Sequence, residues 1–321
     1  MIRYEVGTMH VCFDIRKVDF QAFDRPVVTL GSFDGVHLGH QAIIRRLEGK
    51  SNEKNKSGVV VTYEPHPQSV VAPDDAPGIL TTLEEKLRLL EGLGVEETVV
   101  MSFDEELRDY SADEFVERIL VAKLNIGSLV VGGDHRFGKG RAGGIDLLKR
   151  AALVHDFDLE VVPARYLGEI RVSSTRIRKE IAAGEFARAT DMLGHPYPLS
   201  GRVTRGKGRG RSLGYPTLNL EIPQSKLLPQ DGVYGARVRL EKREYPGMMY
   251  VGPKPTFREE TRSVEVHVLG REIEVGDAKV ELSVERWVRE PRRFPDPEHL
   301  RDQLKSDEKR IKEMLGIDRS N

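Results

Sequence analysis

The chain has 321 residues, of which 39% are hydrophobic and 31% charged, a balance that predicts packed cores under a charged surface and excludes domain-scale disorder. Fifty basic against 51 acidic residues give a net charge of −1, so we expect neither a nucleic-acid nor a membrane partner. The single cysteine, Cys12, excludes an internal disulfide, and no apolar run is long enough to span a bilayer. We therefore expect a cytoplasmic protein of about two domains.

Short β-branched runs alternate with helical periodicity through the first half of the chain. This alternation is typical of parallel βαβ units and predicts an α/β domain. The predicted strands are residues 27–31, 58–63, 98–103, 128–133 and 159–164. Capping boxes predict helix starts at Thr81 with Glu84 and at Ser111 with Glu114. The polar residues 51–58 are predicted to form a surface loop.

Two histidines flank Gly39 directly after the first predicted strand, in LGSFDGVHLGH. Ligands of open parallel sheets bind beyond the carboxyl ends of the strands, and a helix that begins near His37 or Gly39 offers its N-terminus to a phosphate. His37 and His40 can hold neighbouring phosphate oxygens, while Gly39 lets the backbone approach closely. The alternatives are a zinc pair or two surface histidines. Zinc would need further ligands, and neither an HExxH pattern nor a cysteine cluster supplies them.

A P-loop lookalike, GDHRFGKG, occupies residues 133–140. Gly140 stands where a P-loop needs Ser or Thr for magnesium, and a P-loop also belongs after the first strand of its fold. We therefore expect an active-site loop of another type.

A second anion-binding pattern lies in RVSSTRIRKEI, residues 171–181, where hydroxyl residues precede an arginine-rich helical turn. A new helix N-terminus favours an anion, and arginines can balance the charge of a triphosphate. The residues concerned are Arg171, Ser173, Ser174, Thr175, Arg176 and Arg178. Alone, an N-cap with solvated arginines explains the pattern better, but its combination with the histidine turn favours phosphate binding.

The sequence becomes turn-rich and arginine-rich after residue 195, with alternating strands such as GVYGARVRL and SVEVHVL. This change predicts a β-rich second domain that begins near HPYP, followed by a final helix at about residues 297–315.

The segment GKGRGRSLGYPTLNL combines a basic glycine-rich loop with Thr217 and Asn219 on a predicted strand. Residues two apart on a strand share a face, so these two side chains can meet one hard cation such as Mg²⁺. Glycines in this loop would let the backbone approach a nucleotide closely, and arginines would supply positive charge. The residues concerned are Gly206, Gly208, Gly210, Arg209 and Arg211. A solvated basic loop before an ordinary strand, or an RNA-binding loop, remains the alternative.

The first half resembles the adenylyltransferase half of bacterial bifunctional riboflavin kinase/FMN adenylyltransferases in four motifs, GSFDGVHLGHQ, YEPHP, VVGGDHRFG and RVSSTRIR. The second half resembles the flavokinase half of that family in GRGRSLGYPTLNL, DGVYGARV and VEVHVL. The resemblance covers about residues 20–315 in the family's order. It implies a Rossmann-like nucleotidyltransferase domain over residues 1–194, and a β-barrel flavokinase domain with a terminal helix over residues 195–321.

The resemblance implies that riboflavin and ATP give FMN, and that FMN and a second ATP give FAD and pyrophosphate, with Mg²⁺ at both sites. His37 and His40 would bind the ATP phosphates and steady the charge that grows as the FMN phosphate attacks the α-phosphorus. Arg171, Ser174, Thr175 and Arg178 match the family's second phosphate-binding motif, Asp134 matches an ATP-contacting position, and the loop that contains His66 would line the flavin site. The histidine motif adds Gly31, Phe33, Asp34 and Gly39 to the expected cofactor-binding residues.

In the second half, Thr217 and Asn219 match the family's metal-binding PTxN motif, and Glu265 matches its general base. Glu265 would accept the proton of the riboflavin 5′-hydroxyl. The expected nucleotide-binding residues are Gly206, Gly208, Gly210 and Arg211. The alternation V-E-V-H-V also permits an exposed strand glutamate, because Glu265 and His267 share the face opposite three valines.

The chain departs from the family's usual residues at Ser32, where Thr is common, at His135, where Phe is common, and at Tyr250, where Asn is common. REIEVGD, residues 271–277, also replaces the usual turn. We expect these changes to affect substrate affinity more than reaction class. Two other functions remain open: an adenylyltransferase for another phosphorylated substrate, and a noncatalytic flavin- or RNA-binding module in the second half.

Overall fold

Two compact units make up the chain, Met1–Ser174 and Thr175–Asn321. Within the first, the strands are β1 Arg3–Val6, β2 Met9–Phe13, β3 Val27–Leu30, β4 Gly58–Glu64, β5 Glu97–Ser102, β6 Ser128–Gly132 and β7 Asp158–Val162. The computed structural model describes residues 3–13, 15, 24–204, 209–240, 243–254, 259–271, 273, 276 and 278–317.

These strands form one seven-stranded sheet in the order β1-β2-β5-β4-β3-β6-β7. The pairing of β1 with β2 is antiparallel, and every other pairing in the sheet is parallel. The five strands predicted from the sequence are observed as β3 to β7, with ends that differ by at most two residues. The parallel core confirms the prediction of an α/β domain.

The helices of the first unit are α1 Leu38–Lys54, α2 Pro67–Val71, α3 Leu83–Gly92, α4 Glu105–Asp109, α5 Ala112–Glu114 and α6 Ile145–His155. A π-helical segment, Phe115–Val121, continues α5, and two short strands, β8 Tyr166–Leu167 and β9 Ile170–Arg171, form a separate antiparallel pair. Apolar residues cover both faces of the sheet: Val59 and Val61 lie in one core cluster, and Val60 lies in the other. The sheet is therefore a middle layer, and its carboxyl edge is the open place for a ligand.

The strand order reverses at β3, because β4 and β5 extend to one side of it while β6 and β7 extend to the other. Such a switch point leaves a crevice outside the carboxyl ends of the strands, where open α/β sheets bind ligands. The β3–α1 turn, residues 31–37, lies at this position.

The predicted capping box of α3 is wrong by one residue. The Thr82 side chain accepts a hydrogen bond from Glu85 N at 3.3 Å, and the Glu85 carboxylate accepts one from Thr82 N at 2.9 Å. Thr81 and Glu84 fit the same spacing, but the Thr81 side chain is hydrogen-bonded elsewhere, to the β3–α1 turn. The predicted box at Ser111 and Glu114 is confirmed.

The predicted loop at residues 51–58 is also wrong in its first half, because residues 51–54 form the last turn of α1. The helix ends at Asn55, which takes the left-handed conformation with φ 51°. Polar residues on an exposed helical turn resemble a loop in sequence, so periodicity did not separate the two.

The second unit contains a closed barrel. Its strands are β10 Tyr197–Thr204, β11 Leu218–Glu221, β12 Gly232–Leu240, β13 Arg243–Lys254, β14 Glu259–Val268 and β15 Lys279–Arg289. The barrel order is β10-β11-β14-β13-β12-β15, and all pairings are antiparallel. The helices are α7 Ser174–Ala182, which starts at the last residue of the first unit, α8 Phe186–Leu193, α9 Arg209–Ser212 and α10 Pro297–Met314. The barrel and the terminal helix confirm the expected fold class.

The terminal helix α10 is attached to the barrel by a buried ion pair. Arg289 on β15 donates from Nε and Nη2 to the Asp307 carboxylate at 2.7 to 3.1 Å, and both side chains are at most 10% exposed. Ile311, also fully buried, lies against Gly235 of β12.

Helix α8 packs on the barrel through Phe186, whose ring centroid lies 5.1 Å from that of Tyr234 and 6.2 Å from that of Tyr197. All three side chains are at most 2% exposed. The compact barrel unit therefore includes α8, although the change in sequence texture comes after it.

We predict that the fragment Thr175–Asn321 unfolds at a higher temperature than the fragment His195–Asn321. Loss of a buried phenylalanine side chain typically costs about 3–5 kcal/mol, and the shorter fragment lacks all of α8. Thermal unfolding followed by circular dichroism measures the difference. Phe186→Ala in the longer fragment should reproduce much of the loss, whereas equal melting temperatures for the two fragments would show that α8 adds nothing to the barrel.

Candidate functional site

The β3–α1 turn is held in a strained backbone conformation. Phe33 and Val36 have φ angles of 46° and 39°, which non-glycine residues seldom adopt. Gly31 N donates to the Val61 carbonyl at 3.1 Å, and the Thr62 hydroxyl donates to the Ser32 carbonyl at 3.2 Å. Both bonds attach the turn to β4. Such strain persists only where the surroundings fix it, and it is common at ligand sites.

Asp34 binds the turn to the segment that precedes α3. Its carboxylate, in a side chain 1% exposed, accepts hydrogen bonds from Leu80 N at 2.9 and 3.1 Å, from Thr81 N at 2.9 Å and from the Thr81 hydroxyl at 3.2 Å. Gly35 N in turn donates to the Thr81 hydroxyl at 3.0 Å. These contacts fix the shape of the turn.

The two histidines stand together at the start of α1. Their rings are stacked, with centroids 3.6 Å apart and an interplanar angle of 14°. His37 is the N-cap residue, and its Nδ1 accepts a hydrogen bond from His40 N at 3.2 Å. To accept this hydrogen bond, Nδ1 must have a free lone pair, so the proton of the neutral His37 ring lies on Nε2.

The imidazole of His40 is held neutral by its surroundings. Burial lowers the pKa of His40 well below its usual value, and the positive charge of Lys86 acts in the same direction. Its Nδ1 is buried without a hydrogen-bond partner among the described residues. A buried N–H without an acceptor is costly, which favours the proton on Nε2 here too. The pair therefore presents two Nε2–H donors.

Gly39 makes room for this arrangement. A Cβ atom at this position would lie 3.0 Å from Cε1 and 3.1 Å from Nδ1 of His37, closer than side chains ordinarily pack. The ring of Phe33 meets His40 edge-on, with centroids 5.2 Å apart. Glycine thus serves the placement of the His37 ring, a task that the sequence did not suggest.

Sequence reasoning missed Lys86, which is 4% exposed on α3 beside this turn. Its Nζ donates to the Thr62 hydroxyl at 3.0 Å and to the Tyr63 carbonyl at 3.3 Å. Burial lowers the pKa of Lys86 to about 8, while the carboxylates of Asp34 and Glu64 act in the opposite direction. The sequence did contain an indication that Lys86 is buried, because this residue lies on the same face of α3 as the apolar residues.

The second anion-binding pattern meets the turn through Ser174. The Ser174 hydroxyl donates to the Asp34 carbonyl at 2.8 Å. Arg171, on β9, pairs with Asp134, with 2.6 Å between Nη2 and Oδ2. Thr175 and Arg178 lie on α7. Two residues expected to contact ATP, Arg171 and Asp134, therefore contact each other.

Two loops border the same edge of the sheet, and they follow β4 and β6, the two strands that flank β3. His66 follows β4 and caps α2, and its Nδ1 accepts a hydrogen bond from Gln68 N at 3.2 Å. His135 follows β6 and stacks on Phe137 with ring centroids 5.7 Å apart. Burial lowers the pKa of His135 to about 4, so this ring is neutral at pH 7.

In the barrel unit, three expected residues lie together: Asn219 is on β11 and Glu265 is on the adjacent β14, whereas Thr217, predicted to lie on the strand, directly precedes β11. The Thr217 hydroxyl donates to Glu265 Oε2 at 3.3 Å, and Asn219 of β11 is directly opposite Glu265 of β14. Tyr250 of β13 flanks Glu265 on the other side. Burial, with the charges of Asp231 and Glu265, raises the pKa of Tyr250 to about 12.

The oxygen atoms of this group suit a hard cation. In the described part of the chain, no three His, Cys, Asp or Glu side chains form a metal site. Mg²⁺ commonly takes one or two protein oxygens and completes its shell with water and substrate phosphates. The Thr217 hydroxyl and the Asn219 amide oxygen fit that pattern.

The basic loop before this group is described only in part. Gly206 and Gly208 lie outside the described residues, and Arg211 is exposed on α9. At Gly210 a Cβ atom would lie 2.2 Å from the Tyr215 carbonyl oxygen. The glycine is thus required for the loop to close on Tyr215, in addition to any contact with a nucleotide.

Comparison with known proteins assigns a family to each half of the chain. Residues 20–176 match the FAD synthetase family, and residues 193–315 match the riboflavin kinase family. The bifunctional riboflavin kinase/FMN adenylyltransferase of Escherichia coli K12 is 35% identical over 292 residues, which cover 91% of this chain and 93% of the relative. The protein of the same name from Pseudomonas fluorescens is 36% identical over 282 residues, which cover 88% of this chain and 90% of the relative.

A solved structure named as a macrolide-efflux protein from Streptococcus pneumoniae superposes with a TM-score of 0.82 and 29% identity. The match covers 93% of this chain and 97% of that one, so the two proteins share both units. Together with the family matches and the relatives above, this shows that the chain belongs to the bifunctional riboflavin kinase/FMN adenylyltransferases.

Proposed function

We propose that the histidine turn carries out adenylyl transfer to FMN and that the Thr217, Asn219 and Glu265 group carries out phosphorylation of riboflavin. The chain is a riboflavin kinase and FMN adenylyltransferase, and it uses ATP in both reactions. We place the boundary between the two catalytic domains at residues 194/195, which the start of the riboflavin kinase match at residue 193 supports. The single cysteine supports a cytoplasmic location.

For adenylyl transfer, the observation that carries the proposal is the stacked pair of imidazoles at the N-terminus of α1. An oxygen of the FMN phosphate attacks the α-phosphorus of ATP, and pyrophosphate leaves with the bonding electron pair. The Nε2–H groups of His37 and His40 donate to the phosphate oxygens, on which negative charge grows. Because strand, cap and stacking fix these donors in advance, they need little reorganisation in the transition state.

The second motif completes the phosphate site. Ser174 shares the Asp34 turn, so its position is coupled to that of the histidines. Arg171 pairs with Asp134 and would exchange that carboxylate for phosphate oxygens. Thr175 and Arg178 would supply further donors, and the remaining expected contacts with ATP or flavin are those of Gly31, Phe33, Gly39 and His66.

For phosphorylation, Glu265 accepts the proton of the riboflavin 5′-hydroxyl as that oxygen attacks the γ-phosphorus of ATP, and ADP leaves. Thr217 and Asn219 would hold Mg²⁺, which withdraws negative charge from the phosphate oxygens. The contact of the Thr217 hydroxyl with Glu265 supports this assignment, because it puts the proposed metal ligand and base within one hydrogen bond of each other. Gly210 and Arg211 belong to the proposed nucleotide side of this site, with Gly206 and Gly208.

We predict that His37→Asn and His40→Ala each slow FAD formation from supplied FMN by about 100- to 1,000-fold, the usual loss for one preorganised transition-state donor. Asparagine is a good N-cap, so His37→Asn keeps the cap of α1 while it removes the Nε2–H donor. Chromatography of the flavin products measures the rate. Phosphorylation of riboflavin should stay nearly unchanged in both variants.

His155→Asn, on α6, is the matched control for loss of a histidine from the same unit and should keep both activities. A folded double variant of His37 and His40 that made FAD at the parental rate would exclude the histidine pair from the reaction.

We predict that Glu265→Gln lowers FMN formation by about 100- to 10,000-fold, since it removes the proton acceptor but keeps the shape of the side chain. Riboflavin binding, followed by flavin fluorescence, should remain. Supplied FMN should still become FAD, which tests the folding of the chain in the same sample. Glu244→Gln, an exposed glutamate of β13, is the matched control and should phosphorylate riboflavin normally. Normal FMN formation by Glu265→Gln would reduce Glu265 to an ordinary strand residue.

A further inference from the structure

His267 lies on β14 two residues beyond Glu265, and the mechanism above gives it no task. Its side chain is 6% exposed, and its Nδ1 lies 2.7 Å from the carbonyl oxygen of Pro216. A carbonyl oxygen can only accept, so Nδ1 must carry the proton of this bond. The imidazole is therefore a fixed N–H donor toward the backbone.

The bonded carbonyl belongs to the peptide that leads into Thr217. The oxygen of Pro216 and the nitrogen of Thr217 share one planar peptide group, so fixing the carbonyl fixes the direction from which Thr217 enters β11. Thr217 then directs its hydroxyl to Glu265 at 3.3 Å. His267 thus holds the backbone directly before Thr217, and Glu265 holds the side chain of Thr217.

The ring of His267 is itself kept in place by Tyr215. The two rings meet edge to face, with centroids 5.0 Å apart and an interplanar angle of 65°. The Tyr215 hydroxyl donates to Glu308 Oε2 on α10 at 3.1 Å, which fixes the tyrosine ring in turn. An imidazole that is buried, packed and bonded through Nδ1 is well placed to orient the segment to which it is bonded.

We propose that His267 is a positioning residue of the riboflavin kinase site, which acts by holding the Pro216 carbonyl so that Thr217 faces Glu265. The inference rests on the proposed roles of Thr217 and Glu265. It assigns to His267 the orientation of the metal-binding segment, and it leaves the proton transfer to Glu265. A misplacement of about 1 Å in such a segment is enough to reduce a rate by about 100-fold.

Two amide substitutions separate this role from simple packing. Asparagine can bring its side-chain N–H to the place of Nδ1, whereas the longer glutamine brings its N–H to the place of Nε2. We expect His267→Gln to lower kcat for FMN formation by about 10- to 100-fold with little change in the KM for riboflavin. His267→Asn should recover most of that loss.

Each variant is assayed as the full chain, with FAD formation from supplied FMN as the internal measure of folding. His299→Asn, an exposed histidine of α10, is the matched control and should keep the parental kcat for both reactions. Thermal unfolding of the variants is measured alongside, because a packing residue would change stability equally in the asparagine and glutamine variants.

Parental kcat in His267→Gln would overturn the inference, and so would equal losses of kcat in His267→Asn and His267→Gln. Glu265→Gln in the same series distinguishes an error in the proposed kinase site from an error in the role of His267. If that variant formed FMN at the parental rate, the proposed kinase site would be wrong and the inference would fail with it. If Glu265→Gln lost FMN formation and His267→Gln did not, only the role of His267 would be wrong.

Discussion

A single buried carboxylate, that of Asp34, holds together the site that we propose for adenylyl transfer. The carboxylate oxygens accept hydrogen bonds from the backbone N–H groups of Leu80 and Thr81. The backbone carbonyl of Asp34 accepts a hydrogen bond from the Ser174 hydroxyl. Three segments far apart in sequence therefore meet at one residue of the β3–α1 turn. A buried carboxylate is stable only when it is well hydrogen-bonded, so the turn and its two partners must form together or not at all.

Both units fix their reactive groups by the same physical means. In the first, a cap bond from His40 N to His37 Nδ1 decides where the imidazole proton lies. In the barrel, a carbonyl bonded to His267 sets the backbone that precedes Thr217. In each case a hydrogen bond between an imidazole and the main chain fixes the local geometry. Such preorganisation reduces the rearrangement that a phosphate-transfer transition state requires.

The sequence predicted the parallel strands because runs of β-branched residues mark buried strands locally. It also predicted two groups of site residues, and the structure brings His37 together with His40, and Thr217 together with Glu265. It misplaced the cap of α3, because Thr81 and Thr82 each precede a glutamate by three residues and only a contact with Asp34, 47 residues away, distinguishes them. Lys86 and the proton positions of the histidines depend on burial by distant segments, which local patterns do not contain.

The open sheet, unlike the closed barrel, ends in outer strands to which another protein chain could add. A closed barrel pairs the outer N–H and C=O groups of its strands internally, whereas β7 is the last strand of its sheet and has β6 as its only strand partner in the described sheet. Two of its five residues, Asp158 and Glu160, are acidic, and they form ion pairs with Lys54 and Arg46 of α1. Charges along an outer strand discourage a second chain from adding to it. We therefore expect the acidic residues of β7 to disfavour edge-to-edge pairing with a second chain.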